Sequence, residues 1–338
     1  MRWAVAAPFF KQSSRSVWID DFVESDIHEF FKIVPRANNA KMWHSRKQRA
    51  TPLNQWRDYY EQASRAVEAG DGVITVFPQL AACSGLARFL RRRNVPIVAW
   101  CFNVGVFPKG AKLHLAKAAL RNVDRIVVHS RSEVESVTEL LDLRPGIVEF
   151  VPLQCAPIKS DYPIEENKPF AVAMGSANRD YATLFQAAAQ LDFPVTVVAA
   201  ERSVEGLNPP PNVKLLHDLT PAECRELAQR ARFSIVPLSN TREASGQVTV
   251  IEAMRMNRPV IATRSVGTED YVEDGETGIL VPPADPDALA SAMRKLWLDR
   301  DLARQLADAG SRYAEANLSD QEAARSLVRI LDAIAAKA

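Results

Sequence analysis

Short runs of apolar residues alternate along this sequence with segments of helical periodicity. The runs are continuous rather than alternately apolar and polar, which is typical of strands buried on both faces. Strands of this kind belong to parallel sheets that are covered on both faces by the intervening helices. The alternation therefore predicts an α/β protein built on doubly wound parallel sheets.

The individual elements follow from the same pattern. In the first half we predict strands at 3–7, 72–78, 95–102, 124–130 and 148–153, and helices at 53–69, 86–94, 112–121 and 133–141. In the second half we predict strands at 170–174, 195–200, 213–216, 233–238, 259–263 and 277–283, and helices at 181–190, 221–230, 247–256 and 285–299, with two more helical stretches after them. Residues 8–50 read as mainly polar and irregular. Thr220 with Glu223 forms a capping-box pattern, and Asp285 before Pro286 marks a helix start.

The length of 338 residues suggests two domains at about 150 residues each. A segment rich in proline and charge separates the two sets of elements. We predict an N-terminal domain at 1–155, a linker at 156–169 and a C-terminal domain at 170–318. A helix at about 319–338 is expected to complete the N-terminal domain.

Composition narrows the class of protein. The chain is 47% hydrophobic, yet no run approaches the roughly 20 uninterrupted apolar residues of a membrane span. Its four cysteines lie far apart without a CxxC pair, so neither a disulfide framework nor a zinc site is expected. The first residues lack a signal-peptide cleavage site. These features predict a cytoplasmic protein.

The segment after the strand at 233–238 carries the clearest chemical signal. The sequence has no GxGxxG or GxxxxGK[ST] loop, so another element must bind any phosphate. Ser245 is a suitable helix N-cap, and Gly246 allows close approach to the backbone. The free amides of Gly246, Gln247 and Val248, with the helix dipole, then form an anion site suited to a diphosphate.

Glu252 lies seven residues after Ser245, about two helical turns or roughly 10 Å along the same face. A carboxylate at that position can accept two hydrogen bonds from a ribose diol while a diphosphate occupies the helix start. Amides for phosphate and a carboxylate for ribose are also combined in dinucleotide sites.

Several motifs of the second half together resemble the C-terminal domain of retaining glycosyltransferases of the GT-B fold, family 4. The matching segments are IEAM at Ile251–Met254, RPVIAT at Arg258–Thr263, DGETGILVPPADPDAL at Asp274–Leu289, and the strand and loop at Ala171–Leu184. The resemblance is dense over 170–318 and looser over 94–160. It implies two Rossmann-like domains facing a cleft.

The family pattern has two glutamates eight positions apart, which contact the donor sugar and the nucleotide ribose. The second corresponds to Glu252, but the first falls on Ala244. The adjacent Glu243 is our candidate for the sugar contact and for catalysis. The family's Gly-Phe-Gly stretch is replaced by Ser-Gly-Gln at 245–247. We place Thr249 with this donor-binding segment.

A second donor element is implied after the first strand of this domain, beginning at Gly175. The family carries a basic pair there, of which the first position is Ser176 and the second fits Arg179. A forked guanidinium is suited to a diphosphate, although a solvated surface charge is the alternative. His217 ends another strand, where it either holds the base or is structural.

In this family the N-terminal domain binds the acceptor. The expected histidine is absent after the strand at 95–102, which leaves Asn103 as a candidate that contacts a sugar hydroxyl or simply forms a turn. Residues 1–160 hold 23 Lys and Arg against 15 Asp and Glu, a net charge of +8. This excess suits an anionic membrane surface or a lipid-diphosphate acceptor, or else an ordinary solvated face. Nucleic acid is not an expected partner.

The resemblance therefore predicts a retaining glycosyltransferase (hexosyltransferase type, EC 2.4). It would move a sugar from a nucleotide-diphosphate sugar to a glycan, glycolipid or lipid-linked acceptor. No metal or other cofactor is expected, and the chain would be cytoplasmic, with peripheral attachment to the inner membrane face as a possible addition. Two alternatives stay open: a catalytically degenerate nucleotide-binding relative, and a nucleotide-sugar isomerase of the same fold.

Overall fold

The computed structural model describes residues 1–11, 21–36, 51–103, 108–239 and 242–336. These residues form two units. Unit 1 comprises Met1–Val151 and Ala323–Ala338, and unit 2 comprises Pro152–Glu322. The segment 156–169, predicted as a linker, lies in unit 2. The last helix of the chain belongs almost entirely to unit 1, together with the first 151 residues.

Unit 1 is built on a six-stranded parallel sheet of order β2-β1-β3-β4-β5-β6. Its strands are β1 Arg2–Ala6, β2 Glu29–Ile33, β3 Gly72–Val76, β4 Ile97–Trp100, β5 Arg125–Val128 and β6 Val148–Phe150. Its helices are α1 Leu53–Ala69, α2 Pro78–Leu90, α3 Ala111–Leu120, α4 Arg131–Leu141 and most of α10 Asp320–Ala335.

Two elements of unit 1 differ from the sequence prediction. Strand β2 lies in the stretch predicted to be irregular, where it pairs with β1 alone at the edge of the sheet. Because an edge strand is half exposed, its residues do not form a continuous buried apolar run. Helix α2 begins at Pro78 rather than Leu86, with the proline in its first turn, where a missing N–H costs nothing.

The two faces of this sheet are covered by different helices. One face packs against the helices that connect the strands. On the other face Trp3 and Trp100, both fully buried, pack with Leu327 and Leu331 of α10. The indole N–H of Trp3 also donates to Nδ1 of the buried His28 across 3.0 Å. Helix α10 thus covers one face of the sheet of unit 1.

Unit 2 contains a second six-stranded parallel sheet, of order β12-β11-β10-β7-β8-β9. Its strands are β7 Ala171–Met174, β8 Val195–Val198, β9 Val213–Leu216, β10 Ser234–Val236, β11 Val260–Thr263 and β12 Ile279–Val281. Its helices are α5 Tyr181–Ala188, α6 Pro221–Arg230, α7 Gln247–Arg255, α8 Pro286–Leu298 and α9 Arg300–Asn317.

The strand order of unit 2 reverses between β7 and β10. From β7 the chain continues outward to β8 and β9, then returns beside β7 and continues in the opposite direction to β11 and β12. Ligands of doubly wound sheets bind at the carboxyl ends of the strands that flank such a reversal. The predicted capping box of Thr220 and Glu223 and the predicted cap at Asp285 are both confirmed.

Candidate functional site

The loops that follow β7 and β10 are hydrogen-bonded to each other at the reversal point of unit 2. The amide of Asp180 donates to the carbonyl of Pro237 across 3.0 Å, and the amide of Ser239 donates to the carbonyl of Asn178 across 3.0 Å. Arg179 thereby forms an isolated antiparallel bridge with Leu238. The two loops that the sequence proposes for donor binding therefore lie side by side, at the edge where the fold class binds ligands.

Helix α7 begins at this edge, but its N-cap is Gly246 rather than the predicted Ser245. The chain enters the helix with a φ of 84° at Gly246, a left-handed conformation that favours glycine. The Oγ atom of Ser245 is buried and forms no hydrogen bond with any described residue. The first-turn amides of α7, including those of Val248 and Thr249, have no partner within the helix. The anion site that the sequence predicts at Gly246, Gln247 and Val248 stays a prediction, and the observed helix start lies one residue later than the predicted one.

The loop that follows β11 packs against the backbone just before the start of α7. A Cβ added to Gly267 would lie 2.3 Å from the amide nitrogen of Ser245 and 2.4 Å from its carbonyl oxygen. Only glycine permits this approach of the two backbones. The sequence does not predict this contact, because Gly267 and Ser245 belong to two different loops.

Arg179 connects the loop after β7 to α7. Its Nε donates to the carbonyl of Met174 and one Nη to that of Ala177, while the other Nη donates to the hydroxyl of Thr249, each across 2.9 Å. The guanidinium lies directly over Gly175, where an added Cβ would come within 2.6 Å of it. Three of the five N–H donors of the guanidinium are thus engaged, and two are left for a ligand.

The charge of Arg179 has no counter-charge among the residues that the structure describes. No carboxylate of the described residues forms an ion pair with it, and its partners are two carbonyl oxygens and a hydroxyl. Burial lowers the pKa of Arg179. Because removing a cation from water without an opposite charge is costly, this arrangement favours an anionic ligand beside α7.

The residues at the first-glutamate position occupy different environments. Ala244 is buried, so its side chain faces the interior of unit 2. Glu243 is half-buried, and its carboxylate accepts a hydrogen bond of 3.4 Å from the Asn178 side chain. Asn178 itself adopts a left-handed φ of 53° in the loop after β7. Of these two neighbouring positions, Glu243 is the one whose polar group meets the donor loop.

Glu252 lies on the second turn of α7 and is half-buried. Desolvation raises the pKa of its carboxyl, and the charge of Arg225 on α6 offsets the increase only in part. An ionised glutamate at this position is therefore incompletely solvated in the ligand-free chain. Hydrogen bonds from a ligand hydroxyl would replace part of the lost hydration.

Ser176 and His217 are placed at the ends of β7 and β9. The hydroxyl of Ser176 accepts a hydrogen bond from the amide of Ala200 across 3.3 Å, so it joins two loops. His217 has its Nδ1 atom 2.7 Å from the carbonyl of Ala199. Since a carbonyl only accepts, Nδ1 carries the proton and Nε2 is the acceptor in the neutral ring. Both residues share the edge of the sheet with Arg179.

Asn103 belongs to unit 1, where it is exposed just after β4. The structure adds a residue that the sequence analysis did not single out. His129 follows β5 at the same sheet edge, with its ring 6.5 Å from that of Trp100 and its Nδ1 2.7 Å from the carbonyl of Val151. Burial lowers its pKa to about 4, so the imidazole is neutral. Its only sequence signal is its place at the end of a buried strand.

Within the described ranges, three or more metal-ligating side chains do not gather into a cluster. In the same part of the chain, every helix is either too short or too polar to span a bilayer.

One part of unit 2, which contains the carboxyl edge of its sheet, matches a known protein family. Residues 179–299 match the family model of Glycosyl transferases group 1. The match begins at Arg179, includes Glu243 and the whole of α7, and ends after α8.

Curated relatives align with part of the chain only. A trehalose phosphorylase from Pleurotus pulmonarius is 29% identical over 136 residues, which are 39% of this chain and 18% of the relative. A D-inositol 3-phosphate glycosyltransferase from Corynebacterium urealyticum is 33% identical over 118 residues, which are 35% of this chain and 27% of the relative. The alignments thus span about a quarter or less of these relatives' length.

Solved structures resemble the chain over its whole length. Sucrose-phosphate synthase from Thermosynechococcus elongatus has a TM-score of 0.73 at 18% identity and covers 100% of both chains. Anabaena HepE in complex with UDP-glucose has a TM-score of 0.71 at 14% identity, covering 98% of this chain and 100% of that one. The predicted GT-B fold class, with two Rossmann-like parallel sheets, is confirmed.

Proposed function

We propose that the chain is a retaining glycosyltransferase that uses a nucleotide-diphosphate sugar as donor. One observation carries the proposal: the guanidinium of Arg179 has no counter-charge among the described residues, yet it is held against the first turn of α7. A cation beside helix amides that have no partner within the helix is suited to a diphosphate. The match to Glycosyl transferases group 1 over the same residues supports this choice of ligand.

The donor would occupy the carboxyl edge of unit 2 in a defined orientation. The diphosphate accepts hydrogen bonds from the first-turn amides of α7 and from the two N–H groups of Arg179 that remain. Glu252 accepts from the ribose hydroxyls, two turns along the helix. Glu243, oriented by Asn178, contacts the sugar.

The chemistry would rest on stabilisation of the leaving group. As the bond from sugar to phosphate breaks, negative charge develops on the diphosphate, and Arg179 with the helix amides is already oriented toward it. The acceptor hydroxyl would attack from the face that the diphosphate leaves, so the anomeric configuration is retained. The proposal includes no protein nucleophile and no metal ion.

The acceptor would be bound by unit 1, with the exposed Asn103 at its carboxyl edge as a hydrogen-bonding group. A hexose is the proposed sugar, and a glycan, glycolipid or lipid-linked molecule the proposed acceptor. The net charge of +8 over residues 1–160 suits an anionic lipid or lipid diphosphate. We accordingly propose a cytoplasmic protein that attaches peripherally to an anionic membrane.

Thermal stabilisation by a panel of nucleotides tests the donor site directly. Uridine, guanosine and adenosine diphosphates and their sugars are added one at a time, and the melting temperature is recorded. We expect one nucleotide to raise it, because a ligand that binds only the folded state stabilises that state. Absence of any shift, even at millimolar nucleotide, would reject the donor site.

A turnover assay then separates the possible activities. Release of nucleoside diphosphate that requires an acceptor supports transfer, and NMR of the product reports whether the anomeric configuration is retained. A changed sugar without release supports an isomerase, and nucleotide binding without turnover supports a degenerate relative. EDTA is expected to leave transfer unchanged, and loss of transfer with EDTA would contradict the metal-independent mechanism.

A further inference from the structure

A cavity lies in unit 1, at the edge of the sheet opposite to the carboxyl ends of the strands. Its volume is about 610 Å³, and its wall includes Arg88, Asn94, Asp124, Arg125, Arg144 and Gly146. Asp124 and Arg125 stand at the start of β5, and Gly146 precedes β6. We call it the amino-edge cavity. Because substrates of doubly wound sheets bind at the carboxyl edge, this cavity is separate from the acceptor region of the same unit.

A tight turn at residues 144–147 forms one wall of the amino-edge cavity. The amide of Ile147 donates to the carbonyl of Arg144 across 3.3 Å, with Pro145 and Gly146 between them. Gly146 has a φ of 80°, and proline followed by a left-handed glycine is typical of a type II turn. A Cβ added to Gly146 would meet no atom within 4 Å, so the space beside the turn is empty.

The opposite wall holds a pair of charges that neutralise each other. Arg88 donates to the carboxylate of Asp124 across 2.6 Å and also to the carbonyl of Asn122 across 3.0 Å. The same carboxylate accepts from the amide of Ile97 across 2.8 Å. The Oδ2 atom of Asp124 thus accepts both bonds, and its charge is paired with that of Arg88.

Two further arginines of the wall keep their positive charge unopposed. Arg125 donates to the backbone carbonyl of Asp124 across 2.7 Å and forms no ion pair within the described ranges. Arg144 is exposed on the turn, and its side chain forms no hydrogen bond or ion pair with any residue that the structure describes. With Arg88 paired to Asp124, the ionisable wall has a net charge of +2. Two guanidinium groups beside an open space are suited to a phosphate dianion.

We propose that the amino-edge cavity binds the phosphate group of a second ligand, independently of the nucleotide site of unit 2. The ligand is either a small phosphate ester in solution or the headgroup of an anionic lipid, since both present the same oxygens to Arg125 and Arg144. Unit 1 would therefore bind this ligand at the edge of its sheet that is opposite to the carboxyl edge proposed for the acceptor.

The experiment uses the full chain labelled with ¹⁵N at its 13 glycines and titrated with inorganic phosphate at constant ionic strength. The Gly146 amide reports on the cavity, while Gly175 and Gly246 report on the nucleotide site. We expect a saturable shift of the Gly146 signal. In Arg125→Gln/Arg144→Gln phosphate should bind at least about tenfold more weakly, because two charge-assisted hydrogen bonds are lost. The Gly146 signal is independent of nucleotide binding, so failure here and failure of the proposed function are distinguishable.

Control variants and vesicles complete the test. Arg121→Gln removes an exposed arginine that pairs with Asp142 outside the cavity, and it should bind phosphate like the original chain. Arg144→Gln alone, which breaks no described hydrogen bond, covers the case in which the double variant fails to fold. A Gly146 signal that does not saturate, or that shifts equally in the arginine variants, overturns the proposal. Cosedimentation with phosphatidylglycerol vesicles that is lost in Arg144→Gln identifies a lipid headgroup, and saturation by phosphate without cosedimentation identifies a soluble ester.

Discussion

The guanidinium of Arg179 and the hydroxyl of Thr249 are joined by a hydrogen bond of 2.9 Å, although the residues are 70 positions apart. Arg179 belongs to the loop after β7, and Thr249 to the first turn of α7. The bond fixes the only side-chain cation of that loop against the helix start. The two parts of the proposed diphosphate site are thus oriented before any ligand arrives, which lowers the entropic cost of binding.

We expect Thr249→Val to weaken binding of the preferred nucleoside diphosphate by about 1 kcal/mol. The substitution keeps the shape of the side chain but removes the acceptor that orients Arg179, and a typical hydrogen bond contributes about that amount. Isothermal titration calorimetry measures the change. Thr138→Val removes a comparable hydroxyl from α4 in unit 1, where Thr138 donates to the carbonyl of Val134, and it should leave the affinity unchanged. Equal affinities in both variants would show that Arg179 needs no support from Thr249.

Glu252→Ala should weaken nucleotide binding by roughly 1–3 kcal/mol, because charge-assisted hydrogen bonds to the ribose are lost. Glu315→Ala, which removes an exposed glutamate from α9, is the matched control. Calorimetric affinities measured at the same pH and salt concentration decide the matter. Full affinity in Glu252→Ala would remove this residue from the site.

Glu252→Gln should raise the melting temperature of the ligand-free chain at pH 7. Burial raises the pKa of Glu252, so the folded state binds its proton more tightly than the unfolded state does. The free energy of unfolding therefore falls as the pH rises from the ordinary pKa of a glutamate through the raised pKa of Glu252. Above the raised pKa, the full cost of burying the charged carboxylate remains. The advantage of the glutamine variant should shrink as the pH is lowered toward 4. A melting temperature that is lower than that of the original chain at pH 7 would contradict this assignment.

Gly267→Ala should weaken nucleotide binding at least about tenfold, because the new methyl group displaces the backbone of Ser245 and with it the start of α7. Gly278→Ala controls for general damage, since its Cβ would meet the side chain and carbonyl of Val260 rather than the loop before α7. Both variants should melt earlier, but only Gly267→Ala should lose affinity well below its melting temperature. If both variants lose nucleotide affinity to the same extent, Gly267 has a general structural role and no specific role in nucleotide binding.

Glu243→Gln should lower turnover about tenfold and leave nucleotide affinity nearly unchanged. The amide keeps the size of the side chain but loses the charge that strengthens a hydrogen bond to the sugar. Steady-state kinetics and nucleotide titrations of the same preparation provide both numbers. If turnover is unchanged, the sugar contact must be assigned to another residue.

The sequence predicts most of the fold because its strands are buried on both faces. Continuous apolar runs at β3, β4, β7 and β11 can be recognised without any knowledge of their neighbours. Strand β2 escapes the same analysis because it lies at the sheet edge, where half-exposed residues interrupt the apolar run. The start of α2 at Pro78 is missed for a different reason: the apolar run at 72–78 includes this proline, so the sequence assigns it to the strand.

The candidate site is predictable in its parts but not in its contacts. Motifs in the sequence indicate the loops after β7 and β10 separately, since each follows a strand. Their pairing through Asn178 and Ser239 depends on strand order, which local pattern does not specify. The helix start is displaced by one residue for a backbone reason, because Gly246 accepts a left-handed φ and Ser245 is then left outside the helix.

The place of α10 in unit 1 has a consequence for how the chain folds during synthesis. The buried tryptophans of β1 and β4 rest on Leu327 and Leu331, which leave the ribosome only after the whole of unit 2. Until α10 has been made, this face of the first sheet lacks the helix that covers it, although unit 2 already has all of its strands. The half of the protein that is translated first therefore cannot complete its core before nearly the whole chain has been synthesised.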